Sequence, residues 1–270
     1  MLGTGTCICS TPVKVIKNFD QLLGWSFLDF AYYGNPCYNK IMKIKKNELL
    51  DPVLVEKFNE NFNKYHQRYR LKSVLAKENG EYKANCIYSA VVWIREVVKE
   101  LNRLYNKKKE RNLSELLVLF GLIDILVEAT DQIYRVLYNT TNNKDDGTMS
   151  CFKDLPDIYK GLSDYKYFKE LRAFFSAHPI NINTLSDENY SKRYADIPLP
   201  WGGIASCFYK EGVRGDYDIR LWTPTRDDKD TIHCVLRENE LFEFAQKRYL
   251  LLNDYIDRVK KIANKKHENN

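Results

Sequence analysis

The sequence has no hydrophobic run long enough to cross a membrane. Its longest apolar stretch, residues 116–123, is far shorter than the roughly 20 apolar residues of a membrane-spanning helix. The first ten residues also lack the basic flank and the apolar centre of a secretory signal peptide. We therefore expect a soluble, cytoplasmic protein without membrane partners.

Cysteine and histidine, the usual ligands of transition metals, are few or scattered. The 7 cysteines include one close pair, Cys7 and Cys9, and no Cys-x-x-Cys spacing. An odd number of scattered cysteines is typical of a reducing compartment. None of the 4 histidines stands three residues after a glutamate, the spacing used in di-metal carboxylate bundles. We expect no structural zinc, no di-metal site and no cofactor.

Motifs of several large enzyme classes are missing as well. The sequence contains no glycine-rich phosphate-binding loop, nucleophile elbow or protein-kinase motif. Its composition, with 44% hydrophobic and 29% charged residues, is that of a globular protein and argues against disorder. The formal charge of +6 is too small to identify a nucleic-acid-binding protein by itself.

Two long segments carry apolar residues at helical spacing and are predicted to form the core. Residues 84–105 have a wide apolar stripe, and residues 113–138 are apolar nearly all round in their first half. Asn112, with Glu115 three residues later, predicts a capping box at the start of the second segment. The short basic connection between the segments favours an antiparallel pair. Further helices are predicted over residues 18–33, 51–69, 164–179 and 239–263, and the polar one over 51–69 is expected to be mostly exposed.

The pattern changes after residue 200. β-Branched and aromatic runs at 206–210, 217–223 and 231–236, separated by turn residues, predict three antiparallel strands. The predicted fold class is therefore mainly α, a helical bundle with a small antiparallel three-stranded β meander before the C-terminal helix. We place a helical domain at 1–200, and a second part with the β meander and the C-terminal helix at 201–270. The last helix should pack back on the bundle, because its apolar stripe would otherwise be uncovered.

The strongest chemical pattern is Arg172, followed after five residues by His178 and stopped by Pro179. A guanidinium binds phosphate oxygens, and an imidazole transfers protons near neutral pH. Proline disfavours the helical conformation of His178, which would turn the imidazole away from the helix. The pair suits metal-free cleavage of an RNA phosphodiester, with His178 as acid and base and Arg172 neutralising the charge on phosphorus. The same spacing also fits a cation stabilising a helix end and an ordinary surface arginine.

An arginine, four to six residues and a histidine at the end of a bundle helix resemble the motif of the HEPN superfamily. The resemblance covers the helical core at 84–180 and the pair Arg172 and His178, but not the β meander. It implies a four- or five-helix protein, usually a homodimer. For many members it also implies a metal-independent ribonuclease of toxin–antitoxin or phage-defence systems. Ala173 stands where many active members have a polar residue, a departure that bears on catalysis and leaves the fold expectation unchanged.

Two other charged patterns leave alternatives open. Asp124, Glu128 and Asp131 share one helix face, and Asp131 is four residues before Arg135, a favourable spacing for an ion pair. This stripe is either a solvated face or pairs with Arg172 or Arg95 across the bundle. Lysine clusters are either solvated helix ends or contacts to a phosphate backbone. They are Lys107, Lys108 and Lys109; Lys43, Lys45 and Lys46; and Lys260, Lys261, Lys265 and Lys266.

The leading hypothesis is a cytoplasmic, HEPN-like endoribonuclease that works without metal, with Arg172 and His178 as catalytic residues. Its expected partners are RNA, an antitoxin or other protein, and a second copy in a homodimer. The alternative is a non-catalytic helical module for dimerisation or protein interaction. A third hypothesis, a nucleic-acid-binding protein without chemistry, rests on the lysine clusters alone.

Overall fold

The computed structural model describes residues 48–76, 83–107, 111–173, 201–206, 209–210, 213–222 and 232–264. The chain divides into two compact units, Met1–Lys43 and Ile44–Asn270, and every described residue lies in the second. The described residues are mainly helical, which confirms the predicted fold class at that level. The predicted helix over 18–33 lies outside the described residues.

Six α-helices lie within the described ranges. They are α1 (Pro52–Tyr65), α2 (Tyr69–Leu75), α3 (Ala84–Tyr105), α4 (Leu113–Tyr138), α5 (Asp164–Arg172) and α6 (Glu238–Asn264). A 3₁₀ turn, Asp157–Tyr159, precedes α5. The bounds of α3 and α4 coincide with the predicted ones because their apolar residues follow the helical period over many turns. No helix among these residues is long and apolar enough to span a membrane.

Local capping interactions fix where two of the helices begin. The Asp51 carboxylate accepts a hydrogen bond from the Val53 amide at 2.9 Å, before the proline that starts α1. At the start of α4, Asn112 and Glu115 each accept from the backbone amide of the other. This reciprocal arrangement is the predicted capping box, and it satisfies two amides that the helix itself cannot pair.

The prediction for 51–69 was wrong in both extent and burial. The helix α1 ends at Tyr65, and a separate helix, α2, starts at Tyr69. The α1 helix also buries Leu54, Val55, Phe58 and Phe62, which recur at three- and four-residue spacing. The expectation of exposure rested on the many polar residues of this segment. A narrow apolar stripe is nevertheless enough to pack one face of a helix against a core.

The last helix, α6, packs against both α1 and α4. A buried hydroxyl, that of Tyr249, donates to the Asp51 carbonyl at 2.6 Å and accepts from the Val55 amide at 3.1 Å. Near the other end of α1, Arg68 donates to Asn264 at 2.7 Å, so α1 and α6 run in the same direction. The helices α3 and α4 also pack on each other, and α1 contacts α3. These contacts make a bundle in which α6 closes the core.

The strands are short and lie before α6. They are β1 (Trp201–Ser206), β2 (Tyr209–Lys210), β3 (Val213–Arg214), β4 (Tyr217–Trp222) and β5 (Ile232–Leu236). Backbone pairing is antiparallel from β4 to both β1 and β5, with Ile219 opposite Ile204 and Cys234, and β2 pairs with β3. The first strand therefore ends where the predicted one, 206–210, began. Most strand side chains lie outside the described part, so the packing of the meander as a layer stays a prediction. The domain division at residue 200 stays a prediction as well.

Three stacked rings join α4, α5 and α6 in the core. The Phe168 ring lies 6.0 Å from Phe120 and 4.8 Å from Phe244, measured between ring centroids. All three side chains are buried. Aromatic pairs in this range add to the free energy of burial, so Phe168 is the main apolar anchor of the short helix α5.

Replacing Phe168 by alanine should lower the free energy of unfolding by about 3–5 kcal/mol, because removal of a ring that is buried between two helices leaves a cavity. Urea denaturation followed by circular dichroism measures this change. Val92→Ala is the control, since Val92 is 42% exposed on α3, and it should change stability by less than about 0.5 kcal/mol. Equal losses from the two variants would contradict the buried position of Phe168.

Candidate functional site

Arg172 is the last residue of α5, and its guanidinium faces α4. Its Nε lies 3.0 Å from Asp124 Oδ2, and the Arg172 side chain is 41% exposed. A carboxylate on the neighbouring core helix therefore holds an arginine that solvent or a ligand can still reach. His178, Pro179 and the predicted end of this helix lie outside the described residues, so the relation of His178 to Arg172 stays a prediction.

A second cation, Lys169, lies one turn before Arg172 and bridges two carboxylates of α4. Its Nζ is 3.2 Å from Asp124 Oδ1 and 2.6 Å from Glu128 Oε1. Burial opposes the ionisation of Glu128, but the hydrogen bond from Lys169 and the nearby cations outweigh it and lower the pKa of Glu128. Cations of α5 and carboxylates of α4 thus form one charged seam. The sequence left open whether the carboxylate stripe is solvated or pairs with Arg172 or Arg95. Asp124 pairs with Arg172, whereas Arg95 pairs with Glu56 at 2.6 Å.

The third carboxylate of the predicted stripe, Asp131, points into the core and does not pair with Arg135. It is fully buried, accepts the Lys144 amide at 3.1 Å and forms an ion pair with Arg248 of α6. Burial raises the pKa of Asp131, and the Arg248 charge only partly offsets this effect. The local pair predicted from four-residue spacing was wrong because a more deeply buried arginine, distant in sequence, takes the carboxylate. Arg135 instead donates to Gln132 at 2.9 Å.

Asp164, which the sequence did not single out, fixes the start of α5. Its buried carboxylate accepts from the amides of Ser150 and Cys151 at 3.0 and 2.9 Å and from Lys247 Nζ at 3.0 Å. Burial opposes its ionisation, but the Cys151 amide, Lys247 and the other donors outweigh it and lower its pKa to about 2. The available signal in the sequence was an aspartate at the first helical position, directly after the capping Ser163. Asp164 thereby positions the helix that carries Arg172.

The polar interior beside Asp164 has no room for a substrate. The small pocket between α5 and α6 has a volume of about 30 Å³, which holds a few water molecules at most. Its walls include Asp146, Asp164, Lys247 and Arg248. Nearby, burial raises the pKa of the Cys151 thiol to about 12, so this thiol is not an activated nucleophile. Neither this pocket nor the Cys151 thiol is therefore a candidate catalytic site.

Among the described residues, no group of three or more His, Cys, Asp or Glu side chains is arranged to hold a metal ion. Comparison with known proteins found no matching family model, no matching curated protein and no matching solved structure. The resemblance to the HEPN superfamily is therefore carried by the residues of this sequence alone.

The Asp164 carboxylate should make the fold sensitive to acid. Because its pKa is lowered from 3.8 to about 2, the stabilisation, about 2 kcal/mol, is complete above about pH 4 and is lost as the pH falls towards 2. Asp164→Asn should remove this pH dependence and lower stability at pH 7 by about 2 kcal/mol, since Lys247 and the Ser150 and Cys151 amides lose their charged acceptor. Urea denaturation at a series of pH values measures both effects.

The control for this experiment is Asp157→Asn, which changes an exposed aspartate in the preceding 3₁₀ turn. It should leave the stability at pH 7 within about 0.5 kcal/mol of the unmodified chain. A similar loss from both variants would mean that the Asp164 carboxylate has no special role in the fold.

Proposed function

We propose that this protein is a metal-independent endoribonuclease of HEPN-like type, acting in a toxin or phage-defence system. The observation that supports the proposal is the contact between Asp124 and Arg172, which holds the motif arginine at the end of α5 with part of its side chain accessible. An arginine held in one orientation binds phosphate with less loss of conformational entropy than a mobile one.

The proposed reaction uses the 2′-hydroxyl of the RNA as the nucleophile. The base His178 takes the proton of that hydroxyl, whose oxygen forms a bond to phosphorus while the bond from phosphorus to the 5′-oxygen breaks. The departing 5′-oxygen takes up a proton from the imidazolium. Negative charge builds on the non-bridging oxygens during this exchange, and the Arg172 guanidinium stabilises it.

Asp124 acts in this proposal as a positioning residue. Its carboxylate is bound by Lys169 as well as by Arg172, so a second cation helps to fix the carboxylate that orients Arg172. Lys169 also reaches Glu128, one turn further along α4. The seam therefore supports Arg172 from the α4 side, and 41% of the Arg172 side chain is exposed.

Cleavage of a labelled single-stranded RNA in the presence of EDTA tests the proposal. Arg172→Ala and His178→Ala should each lower the rate by at least about 100-fold, because each removes a group that acts in the transition state. The matched control is Arg103→Ala, an arginine paired with Glu100 near the end of α3. This control should keep the full rate.

Asp124→Asn adds a separate measurement, because it should lower the rate less than Arg172→Ala does. Thermal unfolding of every variant shows whether a lost rate reflects lost folding. Cleavage that persists in both Arg172→Ala and His178→Ala, or that requires a divalent metal, would refute the proposal.

We further propose a cytoplasmic location, RNA as substrate, and an antitoxin or similar protein as regulator. The scattered cysteines support the location, and Cys86 and Cys151 carry thiols that are not joined in a disulfide. The β meander before α6 is proposed as a packed three-stranded layer, supported by the backbone pairing of β4 with β1 and β5.

The second candidate function is a non-catalytic module that forms a homodimer. It is favoured by two consecutive apolar residues on α3, Val92 and Trp93, which are 42% and 45% exposed. If they form a dimer interface, Trp93→Glu should shift the sedimentation coefficient from dimer to monomer, because it places a charge in an apolar contact. The control Lys99→Glu, on an exposed position of the same helix, should leave the dimer intact. A monomeric unmodified chain would exclude this candidate.

A further inference from the structure

The directions of the helices bring several basic side chains to one end of the bundle. Arg68, just after α1, donates to Asn264 at the end of α6 at 2.7 Å. Lys83, just before α3, donates to Asn139 at the end of α4 at 2.9 Å. Arg258 of α6 donates to the Leu137 carbonyl of α4 at 3.4 Å. We call this surface, with Lys64 of the last turn of α1, the basic end.

The cations of the basic end contact neutral groups. Lys64 and Arg68 lie over the Tyr65 ring, at 5.4 and 4.7 Å from its centroid, and Arg258 lies 4.6 Å from the centroid of Tyr138. Among the described residues, none of the four cations of the basic end forms an ion pair with a carboxylate. An aromatic ring or an amide oxygen orients a cation without cancelling its charge.

The cations within α3, and those on the described residues of the connection to α4, are arranged differently. They pair with carboxylates. The pairs are Arg95 with Glu56, Lys99 with Glu96, Arg103 with Glu100, Lys107 with Glu115, and Arg111 with Glu238. The opposite charges of each pair largely cancel in the electrostatic field at a distant ligand, whereas the charges of the basic end add up.

Compensation of helix dipoles explains only part of this charge. The three helix C-termini at this end, those of α1, α4 and α6, supply about −0.5 charge each, and the N-terminus of α3 supplies about +0.5, or roughly −1 in total. Four cations therefore exceed the dipoles by about 3 charges. Two described carboxylates of α1 and α6, Glu60 and Asp254, stand four residues before Lys64 and Arg258 without forming an ion pair with them. Asp257 pairs with Lys260 at 3.6 Å.

We propose that the basic end, Lys64, Arg68, Lys83 and Arg258, binds the phosphate backbone of RNA. Phosphate contacts of this kind dominate the affinity of nucleic-acid-binding proteins and need no sequence-specific groups. Two neighbouring amides add donors, because the carbonyl oxygens of Asn139 and Asn264 accept from Lys83 and Arg68 and so leave their NH₂ groups to donate.

The surface fits RNA better than an anionic membrane. Membrane-surface helices combine basic residues with large apolar side chains that enter the lipid. Among the described residues with large exposed apolar side chains, only Tyr138 lies at the basic end. The others are Val53, Val92, Trp93, Tyr105, Leu113, Leu117 and Leu250. A surface with charge and amide donors but few apolar groups suits a hydrated polyanion.

Fluorescence anisotropy with a labelled 15-nucleotide 2′-O-methyl uridine strand tests the proposal. This probe cannot be cleaved through its 2′-oxygen, so the result does not depend on the proposed nuclease. Arg68→Gln with Arg258→Gln should weaken binding at 50 mM salt on the order of 50-fold and reduce the slope of log affinity against log salt by about 1.4, since each lost phosphate contact accounts for about 0.7. The control, Arg95→Gln with Arg103→Gln, makes the same change in net charge at carboxylate-paired sites and should bind like the unmodified chain.

A second variant, Lys64→Gln with Lys83→Gln, changes the two lysines of the basic end and covers the case in which loss of Arg258 impairs folding. It should also weaken binding and flatten the salt dependence, with unchanged thermal unfolding. The proposal fails if the unmodified chain does not bind the strand at 50 mM salt, or if the control pair loses as much affinity as the pair at the basic end. It also fails if vesicles containing phosphatidylserine bind the chain and the RNA analogue does not.

Discussion

Two adjacent cations of the last helix, Lys247 and Arg248, bind buried carboxylates from two earlier segments. Arg248 pairs with Asp131 of α4, and Lys247 pairs with Asp164 at the start of α5. Breaking a pair that is buried on both sides, as Arg248 and Asp131 are, costs about 3–5 kcal/mol because the remaining charge has no partner, whereas an exposed pair contributes about 0–1 kcal/mol. The many surface ion pairs of α3 are therefore secondary, and the arrangement of α4, α5 and α6 depends on these two contacts.

This dependence places the candidate site under the control of the last helix. Lys247 is 83 residues from Asp164, and Arg248 is 117 residues from Asp131. The helix α5 has 9 residues, too few to be stable in isolation. It acquires its position from the Asp164 contacts at one end, from Phe168 in the middle and from Asp124 at the other. The position of Arg172 consequently depends on the packing of α6, and a change in α6 can alter the site without contacting it.

The sequence predicted those features that neighbouring residues determine. The bounds of α3 and α4 follow from the helical spacing of their apolar residues, and the start of α4 follows from Asn112 and Glu115. Burial of α1 was predictable from Phe58 and Phe62, but counting polar residues hid it. The partner of Asp131 was not predictable, because Arg248 and Arg135 are chemically alike and only the packing of α6 decides between them. For Asp124, the contact with Arg172 was one of several alternatives, and the position of α5 selects it.

The helix α4 connects the charged seam to the basic end and separates them by a fixed distance. About 21 Å of helix lies between Asp124 and Tyr138, at roughly 1.5 Å per residue. The core face of this helix is buried along its whole length, so the two surfaces cannot approach each other. Under the two proposals above, one RNA strand would contact both surfaces by running along the bundle, with its backbone at the basic end and a phosphate at Arg172. Binding and cleavage would then involve different nucleotides of the same strand. Changes at the basic end would alter affinity and salt dependence, while those at the seam would alter the rate for bound RNA.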